Sequence, residues 1–117
     1  MKKLCLLVLL LAGCSGPPTE KLEVTIKATK HEVEAFEPVK ITSLVTVNNE
    51  PISSGAELEF ELVNPDGKSV GTVTPTNEGE GQYSIETSFD GLGTYKIISH
   101  VSYGGLHEMP EVEVTLK

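Results

Sequence analysis

The chain has 117 residues, 38% of them hydrophobic and 22% charged, with no tryptophan, which is enough for one buried core and too little for two. Seventeen acidic residues against nine basic ones give a net charge of −8, and this excludes nucleic acid as an expected partner, because phosphate backbones are held by clustered cations. The two cysteines, Cys5 and Cys14, are too few for a disulfide framework.

Residues 1–13 read as a lipoprotein signal peptide. Lys2-Lys3 precedes the apolar run from Leu4 to Leu11, and Leu11-Ala12-Gly13-Cys14 supplies small residues before a modifiable cysteine. The run is too short to span a bilayer. Cleavage before Cys14 discards Cys5, so no intramolecular disulfide can form and the domain must stand on packing alone. Each buried acyl CH₂ is worth about 0.8 kcal/mol, so two or three palmitate-type chains on Cys14 would hold the protein at the membrane. The expected location is therefore extracytoplasmic, at the cell membrane, with Cys14 lipidated; an ordinary secretory cut without acylation is the competing reading. Loss of Lys2 and Lys3 leaves the processed chain still more acidic, which discourages it from lying flat on anionic headgroups. Residues 14–21 comprise Cys14 and a short flexible stalk. Pro17-Pro18 keeps it extended, and Ser15 to Lys21 reaches roughly 20 Å, so any partner must come close to the membrane.

From residue 22 onward the dominant signal is period-two alternation. Leu22, Val24, Ile26 and Ala28 alternate with Glu23, Thr25 and Lys27; Val39, Ile41, Ser43, Val45 and Val47 form a second series. Leu58, Phe60 and Leu62 alternate with Glu57, Glu59 and Glu61, and Tyr83, Ile85, Thr87 and Phe89 repeat the pattern. Between them, Asn48-Asn49-Glu50-Pro51, Asn64-Pro65-Asp66-Gly67 and Asn77-Glu78-Gly79-Glu80-Gly81 read as breaks, the second a turn joining two antiparallel strands. Gly93-Thr94-Tyr95 opens a strand from Tyr95 to Val101 and is similar to a tyrosine corner, with Tyr95, Ile97, Ser99 and Val101 facing inward and Lys96, Ile98 and His100 outward. A last strand, Glu111 to Lys117, buries Val112, Val114 and Leu116. Residues 22–117 are thus expected to form an all-β, immunoglobulin-like sandwich of about seven antiparallel strands.

Distinctive chemistry is concentrated between the last two strands, in His100 to Pro110. This stretch holds two of the three histidines and, after processing, the single methionine. His107 and Met109 are two apart, so an extended segment puts them on one face, and a returning loop could bring them to His100. Imidazole nitrogens with a thioether sulfur suit copper, Cu(I) above all, whereas Ca²⁺ and Mg²⁺ take oxygen and structural zinc takes more thiolate or histidine. The competing explanation is packing: Leu106 and Met109 plug one end of the sandwich, Pro110 protects an edge, and the histidines are solvated. His31, in the loop between the first two strands, could add a nitrogen if that loop lay at the same end. Asn64, Asp66, Glu78, Glu80 and Asp90 offer hard oxygens, but their spacing fails the EF-hand pattern and turn chemistry explains them.

Gly81-Gln82-Tyr83, Gly93-Thr94-Tyr95, and His100-Val101 followed by His107-Glu108-Met109-Pro110 together resemble the YtkA-like family of small bacterial secreted and lipid-anchored domains, related in outline to FixH-like proteins. The resemblance implies an immunoglobulin-like domain with a part in copper handling or respiratory oxidase assembly, and it carries His100, His107 and Met109 over as candidate copper ligands. Nothing resembles a nucleophile elbow, a phosphate-binding glycine loop, a reactive thiol or a zinc helix, and the chain is expected not to be an enzyme. Two function classes stay open at this point: a copper-binding module that serves an acceptor in the envelope, and a non-metal interaction or structural module anchored there, whose glutamate-rich strand faces meet a partner.

Overall fold

The computed structural model describes residues 20–117. The expected signal peptide, Cys14 and most of the stalk lie outside the described residues. Eleven strands follow: β1 (Leu22–Ala28), β2 (Glu32–Val33), β3 (Val39–Val47), β4 (Glu50–Pro51), β5 (Ala56–Val63), β6 (Ser69–Val73), β7 (Thr76–Gly79), β8 (Gln82–Thr87), β9 (Gly93–Tyr103), β10 (Leu106–Glu108) and β11 (Glu111–Leu116). Seven of these run five residues or longer, and they make the expected sandwich. No helix long and apolar enough to cross a membrane occurs among the described residues.

One sheet has the order β2-β11-β9-β5-β6, with β10 also on β9; the other has the order β1-β3-β8-β7, with β4 on β3. The alternation read from the sequence decides which side chains meet between them. Val39, Ile41, Val45 and Val47 of β3 face Phe60 of β5, Ile97 and Val101 of β9 and Val114 of β11, and Phe60, Ile41, Ile97, Val101 and Val114 are wholly buried. Burying a side chain of this size contributes roughly 1.5–3 kcal/mol. At the centre, the Ser43 hydroxyl donates to Ser99 Oγ at 2.7 Å, a buried polar bond that ties one sheet to the other.

The first strand does not stay in one sheet. Thr29 N–H still donates to the Lys40 carbonyl of the β1 sheet, but His31 O accepts from Thr115 N–H, and β2 runs parallel to β11. The expected all-antiparallel arrangement is corrected at this edge. The tyrosine corner is present: Tyr95 Oη donates to Gly91 O at 2.8 Å, accepts from Gly91 N–H at 3.2 Å, and its ring stacks on Phe89 with centroids 4.3 Å apart. The Asn64–Gly67 turn joins β5 to β6 as expected. Asn64 Oδ1 accepts from Asp66 N–H and Lys68 N–H, while Gly67 takes a φ of 83° that a side chain would disfavour. Asn48 and Asn49 both have positive φ, the requirement of the two-residue turn that pairs Val47 with Glu50.

Two expectations are corrected by pairing. Three of the five residues of the Asn77–Gly81 break belong to β7, an edge strand that among the described residues pairs with β8 alone and carries no inward apolar alternation. The stretch between the last two long strands is not an open loop: β9 continues to Tyr103, turns at Gly104-Gly105, and returns as β10. Lys21, assigned to the stalk, is already bound to the domain, its N–H donating to Asn48 Oδ1 and its carbonyl accepting from Asn48 N–H.

Candidate functional site

The β9–β10 hairpin determines where the chemistry-bearing residues sit. Val101 pairs with Glu108 and Ser102 with His107, while Ile98 pairs with Glu111 at the start of β11. These pairings belong to one continuous register, and Ser99 N–H donates to Pro110 O at 2.8 Å within it. Met109 therefore stands opposite His100 in register, on the far side of His100 from β5. On that other side, His100 pairs with Glu59, Ser102 with Glu57 and Ile98 with Glu61. Residues 98, 100 and 102 alternate with the buried 97, 99 and 101, so this whole group occupies the outer face of the sheet.

His100 and His107 come together there, with ring centroids 6.3 Å apart and planes inclined by 43°. Each ring has one nitrogen engaged. His100 Nε2 lies 2.8 Å from Glu61 Oε1, and His107 Nδ1 lies 2.8 Å from Ser102 Oγ. His100 Nδ1 and His107 Nε2 make no hydrogen bond among the described residues. Glu61 is held below the ordinary carboxylate range, first by its hydrogen bond to His100 and then by one to Ser69, against a partial desolvation that acts the other way. The groove beside the pair is lined by Glu57, Glu59, Glu61, Thr72, Thr74, His100, Ser102 and His107. Met109 is 54% exposed, so it does not serve as a core plug.

His31 is not part of this group. Its Nδ1 lies 3.2 Å from Glu113 O, beside β11, and Glu113 pairs with Lys96, four residues from His100 along β9 and so about 13 Å away. The five hard-oxygen residues are also dispersed: Asn64 serves its own turn, and Glu78 is engaged by the Ser84 hydroxyl and Lys40. Among the described residues no three His, Cys, Asp or Glu side chains come together in the disposition of a metal site. Met109, whose thioether is a donor of another kind, stands in register with His100.

Sequence reasoning missed Glu61 and Ser102. The alternation of Glu57, Glu59 and Glu61 identified an outward carboxylate face, but the signal that would have joined it to His100 was the pairing of β5 with β9, which separates these residues by 39 positions in the chain.

Fold and site define a small immunoglobulin-like β-sandwich domain with a histidine pair on the outer face of one sheet. The YtkA-like family model matches residues 18–100, and the chain belongs to that family. The match ends at His100, so it includes the first of the three candidate ligands and not His107 or Met109. No curated protein matches the chain. Among solved structures it is similar to the superoxide reductase (neelaredoxin) from Ignicoccus hospitalis, with 18% identity, a TM-score of 0.43, and coverage of 86% of this chain and 81% of that one. Two variants of the same protein give 18% identity, TM-scores of 0.45, and coverage of 85% and 80%. These neighbours are enzymes, and the expectation that the chain is not an enzyme is withdrawn on that finding. A likeness so distant carries no activity over to this chain.

Proposed function

We propose that the protein is an extracytoplasmic domain, lipid-anchored through Cys14, that binds copper through His100, His107 and Met109 in copper handling or the assembly of a respiratory oxidase. The observation that carries this reading is the 6.3 Å approach of the two imidazoles on a sheet face, with Met109 in register with His100. The residues fit the ion. A metal about 2.0–2.1 Å from one nitrogen of each ring places the two centroids roughly 5–6.5 Å apart, depending on the angle between the ligands. Two nitrogens and a thioether form a soft set suited to Cu(I). Each ring's remaining nitrogen is held by a carboxylate or a hydroxyl, the outer-shell arrangement that orients metal-bound histidines.

Copper is read here as cargo. Glu57 and Glu59 beside the pair give the groove a negative field that favours the approach of a cation. Glu108 lines the same shallow cavity as Lys21, Leu22 and Glu23, so the site lies at the end of the domain where the chain enters from the stalk. A copper acceptor in the membrane or close to it is the partner this placement suits.

The test is a Cu(I) competition titration of the protein under reducing conditions, alongside His100→Ala, His107→Ala and Met109→Leu. The reading expects one-to-one binding that each substitution weakens, with folding kept in Met109→Leu because side-chain volume is nearly unchanged. Affinity unchanged in Met109→Leu removes the thioether from the site; no binding in the parent protein leaves an anchored interaction module. Detergent phase partition tests the anchor: Cys14→Ser should move the protein to the aqueous phase, and retention in the detergent phase would refute it.

A further inference from the structure

The hydrogen bond between His100 and Glu61 constrains more than the position of the ring. An ionised carboxylate only accepts hydrogen bonds, and a neutral imidazole carries its hydrogen on one nitrogen alone. With Glu61 Oε1 2.8 Å from His100 Nε2, the hydrogen must sit on Nε2, and the lone pair is then on Nδ1. The carboxylate reaches His100 from β5 diagonally, because the residue it pairs with directly is Ile98. His107 of β10, and Met109 just beyond that strand in the same register, lie on the opposite side of β9 from Glu61.

We infer that Glu61 is the positioning residue of this site: it holds His100 in the tautomer with hydrogen on Nε2 and thereby leaves Nδ1 to take the metal. This rests on the copper reading given above. Ser102 plays a looser part for His107. Its hydroxyl can donate or accept, so it occupies Nδ1 without selecting a tautomer, and Nε2 takes the metal in the tautomer whose Nδ1–H donates to Ser102. The site is thus asymmetric, with one histidine bound through Nδ1 and the other through Nε2, and Glu61 is the residue that commits the first of them.

The test needs a readout that does not depend on copper. Two-bond ¹⁵N–¹H correlation of the metal-free protein reports the tautomer of each histidine, and Cu(I) competition then reports affinity, in the parent protein, Glu61→Gln and Glu61→Ala. The parent should show His100 as a single Nε2–H tautomer. Glu61→Gln should keep it, because the amide oxygen still accepts from Nε2–H, and its Cu(I) affinity should stay within about threefold of the parent. Glu61→Ala should give a mixture of tautomers and lose roughly ten-fold or more in affinity, the usual size of an outer-shell loss. Hydrogen on Nδ1 of His100 in the parent, or an unchanged tautomer in Glu61→Ala, overturns the inference. Equal Cu(I) affinity in all three proteins also sinks the role of Glu61, whereas a parent protein with the Nε2–H tautomer and no Cu(I) binding sinks the copper reading instead.

Discussion

Replacing Ser43 and Ser99 by alanine, singly and together, probes a polar contact at the centre of the sandwich. Both side chains are fully buried, one from each sheet, and their hydroxyls are bonded to each other at 2.7 Å. Removing one hydroxyl leaves the other buried without its partner, which costs about 1–3 kcal/mol. Removing both replaces a satisfied polar pair by two methyl groups of similar shape, which is close to neutral on the same reasoning. The double variant should therefore be more stable than the sum of the single losses implies, by a coupling of about 2 kcal/mol or more. Urea denaturation with a common slope gives all four stabilities, and the effect is a large fraction of the 5–15 kcal/mol typical of such a domain. Single losses that add within about 0.3 kcal/mol in the double variant would show that the two hydroxyls do not depend on each other, and would refute the contact as the reason for two serines in the core.

Two further outcomes follow from the turns and the carboxylates. Gly81→Ala should lower the thermal midpoint by several degrees: Gly81 has a φ of 78°, and an added Cβ would sit 2.7 Å from the Val45 carbonyl oxygen, so about 1–3 kcal/mol of backbone strain is joined by a clash. An unchanged melting curve would mean the turn relaxes freely. Glu37, Glu61 and Glu78 are each held below the ordinary value of 4.5, chiefly by hydrogen bonds from Lys30, His100 and Ser84 respectively. Their folded pKa values lie below the unfolded ones, so the stability they contribute is complete above about pH 4.5 and is lost as the pH falls through the folded values. The urea midpoint should be nearly flat from neutral pH down to about 5 and fall below that, less steeply in a variant with all three changed to glutamine; a midpoint that holds or rises on acidification would contradict the assignment.

The long strands were legible because their inner faces are filled at every second position. Val39 to Val47 and Tyr95 to Val101 each carry that pattern in the chain itself, and the Asn64–Gly67 turn and the Tyr95 corner are local chemistry. What could not be read is whatever is decided by a distant partner. The β2, β4, β7 and β10 strands are two to four residues long, too short for alternation, and each exists because a neighbouring strand offers hydrogen bonds. The crossing from the β1 sheet to the β11 edge is of the same kind. At the site, His100, His107 and Met109 stood out by residue type, yet their placement on a hairpin face depends on a register running through Gly104-Gly105. Glu61 stood in a different alternating series, and only the β5–β9 pairing brings it within 2.8 Å of His100.

Copper K-edge X-ray absorption of the Cu(I)-loaded protein tests the central claim most directly, because it reads the ligand atoms themselves. Two nitrogen scatterers and one sulfur scatterer in the parent protein, with the sulfur lost in Met109→Leu, are the predicted result. A first shell of nitrogen and oxygen alone, or a protein that retains no stoichiometric copper to measure, would contradict it.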